Sequence, residues 1–452
     1  MSRPIYDMLK AYEDENPIRL HMPGHKGVWH PLDVTEIPQS DDLNQPEGAI
    51  GEAQALLAEA YGACHSFMLV GGSTAGMKAM LLYNKLKKGG AVILPRATHK
   101  AAYNACCMYG IPAVIAESRC DDAGVSYSDE SAVLRAMDQN PDASALLVTC
   151  PDYYGRCMSL EVIAKEAEAL GMLLLVDEAH GAHYAFGDQL PHSAKPYADL
   201  WVNSAHKTLC APTSGAYLHA SKGVDHRLLE EALRAQRTSS PSFITLMGLD
   251  DARHDALAHP AQWDQRATAC QALTDRIDAI EGIHVYDDAW AKDYGFVAKD
   301  ITRLVVDVSK VGGGFHVAKR LYEDHRIQVE MADFYRIVGI MTPWDQGDCD
   351  DRVVEALRAL PLKDMHVDLP SWPSSGERRM TMHEAWGQAG RMVDSAEAKG
   401  RIAATSVGCY PPGTPLILPG EVINQEVLTY LEAVEQAGGS IFGTVDKKIR
   451  VV

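Results

Sequence analysis

No apolar run in the chain approaches the ~20 residues needed to cross a bilayer, so no membrane-spanning helix is expected. Positive charge is in deficit: 42 Lys and Arg against 61 Asp and Glu leave a formal net charge of −19. Nucleic acids and anionic membrane surfaces are met by basic faces, so neither is an expected partner. The ten cysteines are scattered, with one adjacent pair, Cys106 and Cys107, and no CxxC spacing. They read as reduced cytosolic thiols, and the expected compartment is the cytoplasm. The opening residues, MSRPIYDMLKAYEDENP, are too polar to read as a signal peptide or an anchor. There is no internal repeat and no low-complexity tract.

The 452 residues suffice for a large core and more than one domain. Short apolar runs at 66–70, 91–95, 145–149, 172–176 and 200–204 read as buried strands. They lack two-residue alternation, as expected of parallel strands covered on both faces. Helical patterns at 73–90 and 159–171 fall between them, the second opening at an N-cap serine and closing at a glycine. Alternating strands and helices predict a doubly wound α/β domain, whose ligands bind beyond the carboxyl ends of its strands. Five stretches lie there: GGST (71–74), RATHK (96–100), CPDYYG (150–155), DEAHGAH (177–183) and AHKTL (205–209). All are rich in reactive groups and are expected along one edge.

After about residue 255 a long helix is expected at 264–282, then alternating stretches such as TRLVVDVS (302–309) in a smaller α/β domain. LPSWPSSGERR (369–379) reads as a linker, and YPPGTPLILPGE (410–421) as too proline-rich for regular structure. The expected division is an N-terminal segment (1–60), a cofactor-binding large domain (61–255), a small α/β domain (256–368) and a C-terminal domain (369–452).

VDEAHGAH (176–183) admits several readings. A nucleotide-hydrolysing DEAH box needs a GxxxxGK[ST] loop, but GGSTAGMKA (71–79) has Met77 where the lysine belongs. His180, His183 and Asp177 could ligate a metal, yet HxxH behind a strand is not the HExxH helix, and no metal is expected. The lysine of SAHKTL (204–209) decides the matter. Asp177 and Lys207 at the tips of two strands suit pyridoxal 5'-phosphate: the lysine amine condenses with the aldehyde, and the aspartate keeps the ring nitrogen protonated. Gly72, Ser73 and Thr74 open a helix and can bind the phosphate, with Ser204 and His206 adding contacts; His99 can cover the ring.

The chain resembles the ornithine/lysine/arginine decarboxylase family of fold-type I, aminotransferase-like pyridoxal-phosphate enzymes, in the short form typified by bacterial arginine decarboxylases. The motifs are HMPGHKG (21–27), DDLNQPEGAI (41–50), LVGGST (69–74), RATHK (96–100), PDYYG (151–155), VDEAHGAH (176–183), SAHKTL (204–209), TSSPSF (238–243) and YPPGTPLILPGE (410–421). The resemblance implies a large domain with a mostly parallel sheet, followed by the smaller α/β domain and the C-terminal domain. It makes Lys207 the Schiff-base lysine, Asp177 the partner of the ring nitrogen, and His99 the stacking residue. Ser73, Thr74, Ser204 and His206 bind phosphate or position the lysine, and His180 lies near the substrate carboxylate. Ser239 and Ser240 match a segment that reaches the neighbouring subunit's cofactor, so a homodimer, or an oligomer of dimers, with its active site at the interface is implied. Departures occur at Ala101 (usually Ser), Asp152 (usually Thr) and Phe243 (usually Tyr), none in the Asp–Lys pair.

The expected reaction is decarboxylation of a basic amino acid, with arginine ahead of lysine and ornithine, as in polyamine biosynthesis. His206 or Lys207 would return the proton to Cα. A distal cation should meet carboxylates, for which Glu330, Asp333 and Asp152 are candidates, with Asp41 and Asp42 behind them. Arg401 and Glu421 are expected to hold the C-terminal segment together. The alternative is another reaction of the same fold, an aminotransferase or lyase.

Overall fold

The computed structural model describes residues 2–363, 371–410 and 413–452. They form two compact units, Met1–Lys88 with Leu173–Gln265, and Gly89–Met172 with Arg266–Val452. Leu369 and Pro370 of the expected linker, the boundary drawn at 368, and Pro411 and Pro412 of the proline-rich motif lie outside the described residues.

The elements that carry the candidate site are strands β1 (His65–Leu69), β2 (Val92–Pro95), β3 (Ala113–Ala116), β4 (Ala145–Thr149), β5 (Leu173–Asp177), β6 (Leu200–Asn203) and β7 (Ala216–Ala220), with helices α1 (Gly72–Lys87), α2 (Lys100–Tyr109), α3 (Leu160–Leu170) and α4 (Ala205–Thr208).

In the first unit the order is β1-β7-β6-β5. β5 and β6 are parallel, but β7 is antiparallel to both β6 and β1. The mostly parallel sheet expected is thus found, with β7 the reversed strand beside β1. The continuous apolar character of β1 reflects cover on both faces, which a reversed neighbour does not change. Two reversals leave β1 running with β5 and β6, so the loops after all three share one edge. α1 packs close to this sheet because Gly76 has no side chain: a Cβ there would meet Val202 Cγ2 at 2.6 Å and Leu69 Cδ1 at 2.8 Å.

In the second unit β2 lies between β3 and β4 and is parallel to both, so the loops after β2 and β4 also share an edge. α3 follows Ser159, whose side chain makes no capping bond, and ends at Gly171 with φ +67°. A four-stranded antiparallel sheet is built around Arg303–Asp307. The alternation expected there proves to be between two apolar cores rather than between core and water. Leu304 and Val306 enter one cluster with Val317 and Leu357, while Val305 enters another with Tyr154 and Met331. The proline-rich motif does contain regular structure: Pro415–Ile417 pairs antiparallel with Val407–Tyr410. Pro415 opens its strand, where a missing N–H is best tolerated. The described part of the expected linker is irregular apart from a bridge between Arg378 and Glu421.

Candidate active site

In the first unit the shared edge gathers Asp177, His180 and Lys207. Asp177 closes β5 and is buried, with its Oδ1 accepting the Ala179 N–H at 3.2 Å. Burial pushes its carboxyl above the usual range, and the charge of Lys207 pulls it back. Lys207 sits in the single turn of α4, directly behind β6, and its Nζ lies 3.0 Å from His180 Nε2. Ser204 donates its hydroxyl to Ser73 Oγ at 2.8 Å, which brings the start of α1 to the end of β6. Gly72, at φ +71°, donates its N–H to Ser214 O at 2.8 Å. Ser73 and Thr74 follow in the first helical turn, where amides have no partner within the helix. His206 directs both its backbone N–H (3.2 Å) and its ring Nδ1 (2.8 Å) to Gly215 O. With Nδ1 donating, Nε2 of the neutral ring is an acceptor.

The remaining polar members of the opening motif serve the fold. Glu178 is buried and its carboxylate takes three donors: Ala194 N–H at 2.6 Å, Asn203 Nδ2 at 2.9 Å and Ser193 Oγ at 3.3 Å. Burial pushes its carboxyl up to about 8 against the pull of those donors. His183 packs against Trp263, ring centroids 4.4 Å apart. Sequence reasoning missed Tyr61, whose hydroxyl donates to Ala182 O at 2.7 Å and holds this loop. It also missed Asn203. Both sit inside apolar patterns that mark them as packing residues.

Ser239 and Ser240 are exposed on the first unit. His99, in the second unit, is the N-cap of α2 and accepts the Ala101 N–H on Nδ1 at 3.2 Å. Asp333 is buried and engaged by Tyr154 Oη at 2.7 Å, Arg336 Nε at 2.8 Å and two backbone N–H groups. Asp152 accepts Arg156 Nε at 2.7 Å and the Tyr154 and Arg156 N–H groups. Both carboxylates are thus committed inside their own unit. Glu330 is exposed and carries one long contact, from Tyr153 Oη at 3.5 Å. Asp41 accepts the N–H groups of Glu47, Gly48 and Ile50 and orders the helix that follows. Glu421, buried, holds both terminal nitrogens of Arg96 at 2.8 and 3.0 Å.

The major domain of the Orn/Lys/Arg decarboxylase family matches residues 3–294, and the family's C-terminal domain matches 374–444. The chain belongs to the Orn/Lys/Arg decarboxylase family. Among the relatives of this decarboxylase family member is an arginine decarboxylase of Bacillus subtilis, 33% identical over 99% of this chain and 97% of that one. Another is an arginine decarboxylase of Halalkalibacterium halodurans, 30% identical over 99% and 96%. Of solved structures, the E. coli constitutive lysine decarboxylase matches with TM-score 0.83 at 16% identity, covering 100% of this chain and 82% of that one. A structure of SPT with PLP matches with TM-score 0.53 at 15% identity, over 68% and 75%. The fold is accordingly that of fold-type I pyridoxal-phosphate enzymes, a group that also includes aminotransferases.

The family implies pyridoxal phosphate, and the donor set fits it. The first unit offers a buried carboxylate for a protonated ring nitrogen, an amine for an aldehyde, and two hydroxyls at a helix start for a phosphate.

Proposed function

We propose that this protein decarboxylates a basic amino acid, arginine ahead of lysine and ornithine, to the corresponding amine and CO2. The observation that carries the reading is full-length similarity to relatives named arginine decarboxylase, at 33% and 30% identity. The whole-chain match to a lysine decarboxylase, TM-score 0.83 against 0.53–0.54 for the aminotransferase-like neighbours, favours this reaction over the others of the fold.

Bound pyridoxal phosphate supplies an aldehyde for an amine and a protonated ring that draws off the electrons left by departing CO2. Lys207 holds the cofactor through its amine, and Asp177 keeps the proton on the ring nitrogen. Ser73, Thr74, Ser204 and the first amides of α1 hold the phosphate. His180, beside Lys207 Nζ, takes up or returns the amine's proton. Lys207 or His206 delivers a proton to Cα as CO2 departs. Two roles rest on other grounds: His99 covers the ring by the resemblance, and Glu330 meets the distal guanidinium by its charge and exposure. The exposed Ser239 and Ser240 reach a second copy in a homodimer. We place the enzyme in the cytoplasm, where its product is a polyamine precursor; among the described residues no helix is long and apolar enough to cross a membrane.

The test is to supply purified protein and pyridoxal phosphate with arginine, lysine or ornithine and measure CO2 and amine. CO2 and amine in equal amounts, fastest from arginine, are expected. Ketoacid or ammonia without CO2 would overturn the assignment.

A further inference from the structure

We infer that Glu178 and Asn203 form a clamp that positions Asp177, His180 and Lys207 relative to one another, and so sets the affinity and protonation of the cofactor; the inference rests on the pyridoxal-phosphate reading above. β5 and β6 pair in register as far as Asp177 and Val202. Beyond the strands the pairing continues, with Glu178 N–H donating to Val202 O at 3.0 Å and Ser204 N–H to Ala179 O at 3.3 Å. Asn203 then donates Nδ2 twice to one residue, to Glu178 O at 3.0 Å and to Glu178 Oε2 at 2.9 Å. Its Oδ1 is buried without a partner among the described residues. The amide is turned wholly toward Glu178, and leaving a buried acceptor unpaired costs about 1–3 kcal/mol.

Each reacting group hangs from this clamp. Asp177 precedes Glu178. The turn that presents His180 is closed by Gly181 N–H on Glu178 O at 2.9 Å, the same oxygen that Asn203 grips. Ser204 and the turn bearing Lys207 follow Asn203 directly. On its far side Glu178 Oε1 is fixed by the Ala194 N–H at 2.6 Å. Asn203 spends its amide N–H groups on Glu178, and both Glu178 carboxyl oxygens are taken by protein donors, so both are positioning residues, acting through their neighbours.

Glu178→Leu is the first variant, since it removes the oxygens that Asn203, Ser193 and Ala194 engage while keeping roughly the side chain's reach. Asn203→Ser is the second, and carries the test if the first does not fold. Ser193→Ala is the control. Wild type is titrated first with pyridoxal phosphate by absorbance, beside Lys207→Ala. Absence of a band that depends on Lys207 overturns the cofactor reading itself, and with it the inference. Where that band is present, the clamp predicts that Kd rises about tenfold or more in either variant. It also predicts that the pH midpoint of the band moves by about half a unit or more, with Ser193→Ala near wild type in both. A lowered melting temperature with Kd and midpoint unchanged would make the pair structural only and overturn the clamp.

Discussion

Lys207 Nζ and His180 Nε2 stand 3.0 Å apart. Two full positive charges at that distance would repel by about 5.5 kcal/mol at an effective dielectric of ~20, which disfavours protonation of both groups at once. The pair therefore holds a proton acceptor next to the amine that must gain and lose protons in each cycle. His180→Ala should bind pyridoxal phosphate through Lys207 as wild type does, yet lower kcat by about 100-fold. Steady-state kinetics beside a cofactor titration would decide this; an unchanged kcat would remove His180 from proton handling.

Gly76 sits where α1 packs against Leu69 of β1 and Val202 of β6. Because a Cβ would lie 2.6 Å from Val202 Cγ2, Gly76→Ala must push α1 and β6 apart. We expect a loss of about 1–3 kcal/mol in denaturant unfolding together with weaker cofactor binding, since Ser73 lies on α1 and Ser204 directly follows β6. A variant as stable as wild type would mean that the contact is absorbed elsewhere.

Asp152 departs from the family pattern and answers a local need. Its Oδ2 takes the Nε of Arg156, which is almost wholly buried among aromatic rings including Trp290 and Phe296. Restoring the usual residue with Asp152→Thr leaves that guanidinium with Asp121 at 3.5 Å as its remaining ion pair. Stability should fall by about 1–3 kcal/mol, with the order of preference among arginine, lysine and ornithine unchanged. A change of preference without a loss of stability would place Asp152 at the substrate instead.

The buried carboxyl of Glu178, pushed up to about 8, ties stability to pH. Between the ordinary carboxyl range and about 8 the folded chain binds more protons at this group than the unfolded chain. The group's contribution is thus complete at low pH and is lost as pH rises through about 8. Melting temperatures of wild type and Glu178→Gln, compared from pH 5 to pH 8, should converge as the pH rises if wild type is the more stable at the acid end. Parallel curves would show that Glu178 does not titrate in that window.

Much of this arrangement is legible in the sequence. The apolar runs mark β1, β2, β4, β5 and β6 to within a residue or so, since strands covered on both faces leave few polar interruptions. The residues behind β1, β5 and β6 do share an edge. What escaped is what local pattern does not encode. β7 carries His219 within an otherwise apolar stretch, and nothing in AYLHA marks a reversed strand. The destination of Leu304 and Val305 in different cores depends on partners far along the chain. Asp152 and Asp333 read as candidates for a distal cation because nothing in the local pattern pairs them with Arg156 and Arg336, which engage them in the fold. Asn203 sits in an apolar strand, and its partnership with Glu178 exists only once β5 and β6 are side by side.

The most direct test of the central claim is the absorbance spectrum of purified protein with pyridoxal phosphate, wild type beside Lys207→Ala, before and after arginine is added. The account predicts a cofactor band in wild type that is absent from the variant, and CO2 released from arginine by wild type alone. A band that survives the loss of Lys207, or a Lys207-dependent band with no CO2 from arginine, lysine or ornithine, would contradict it.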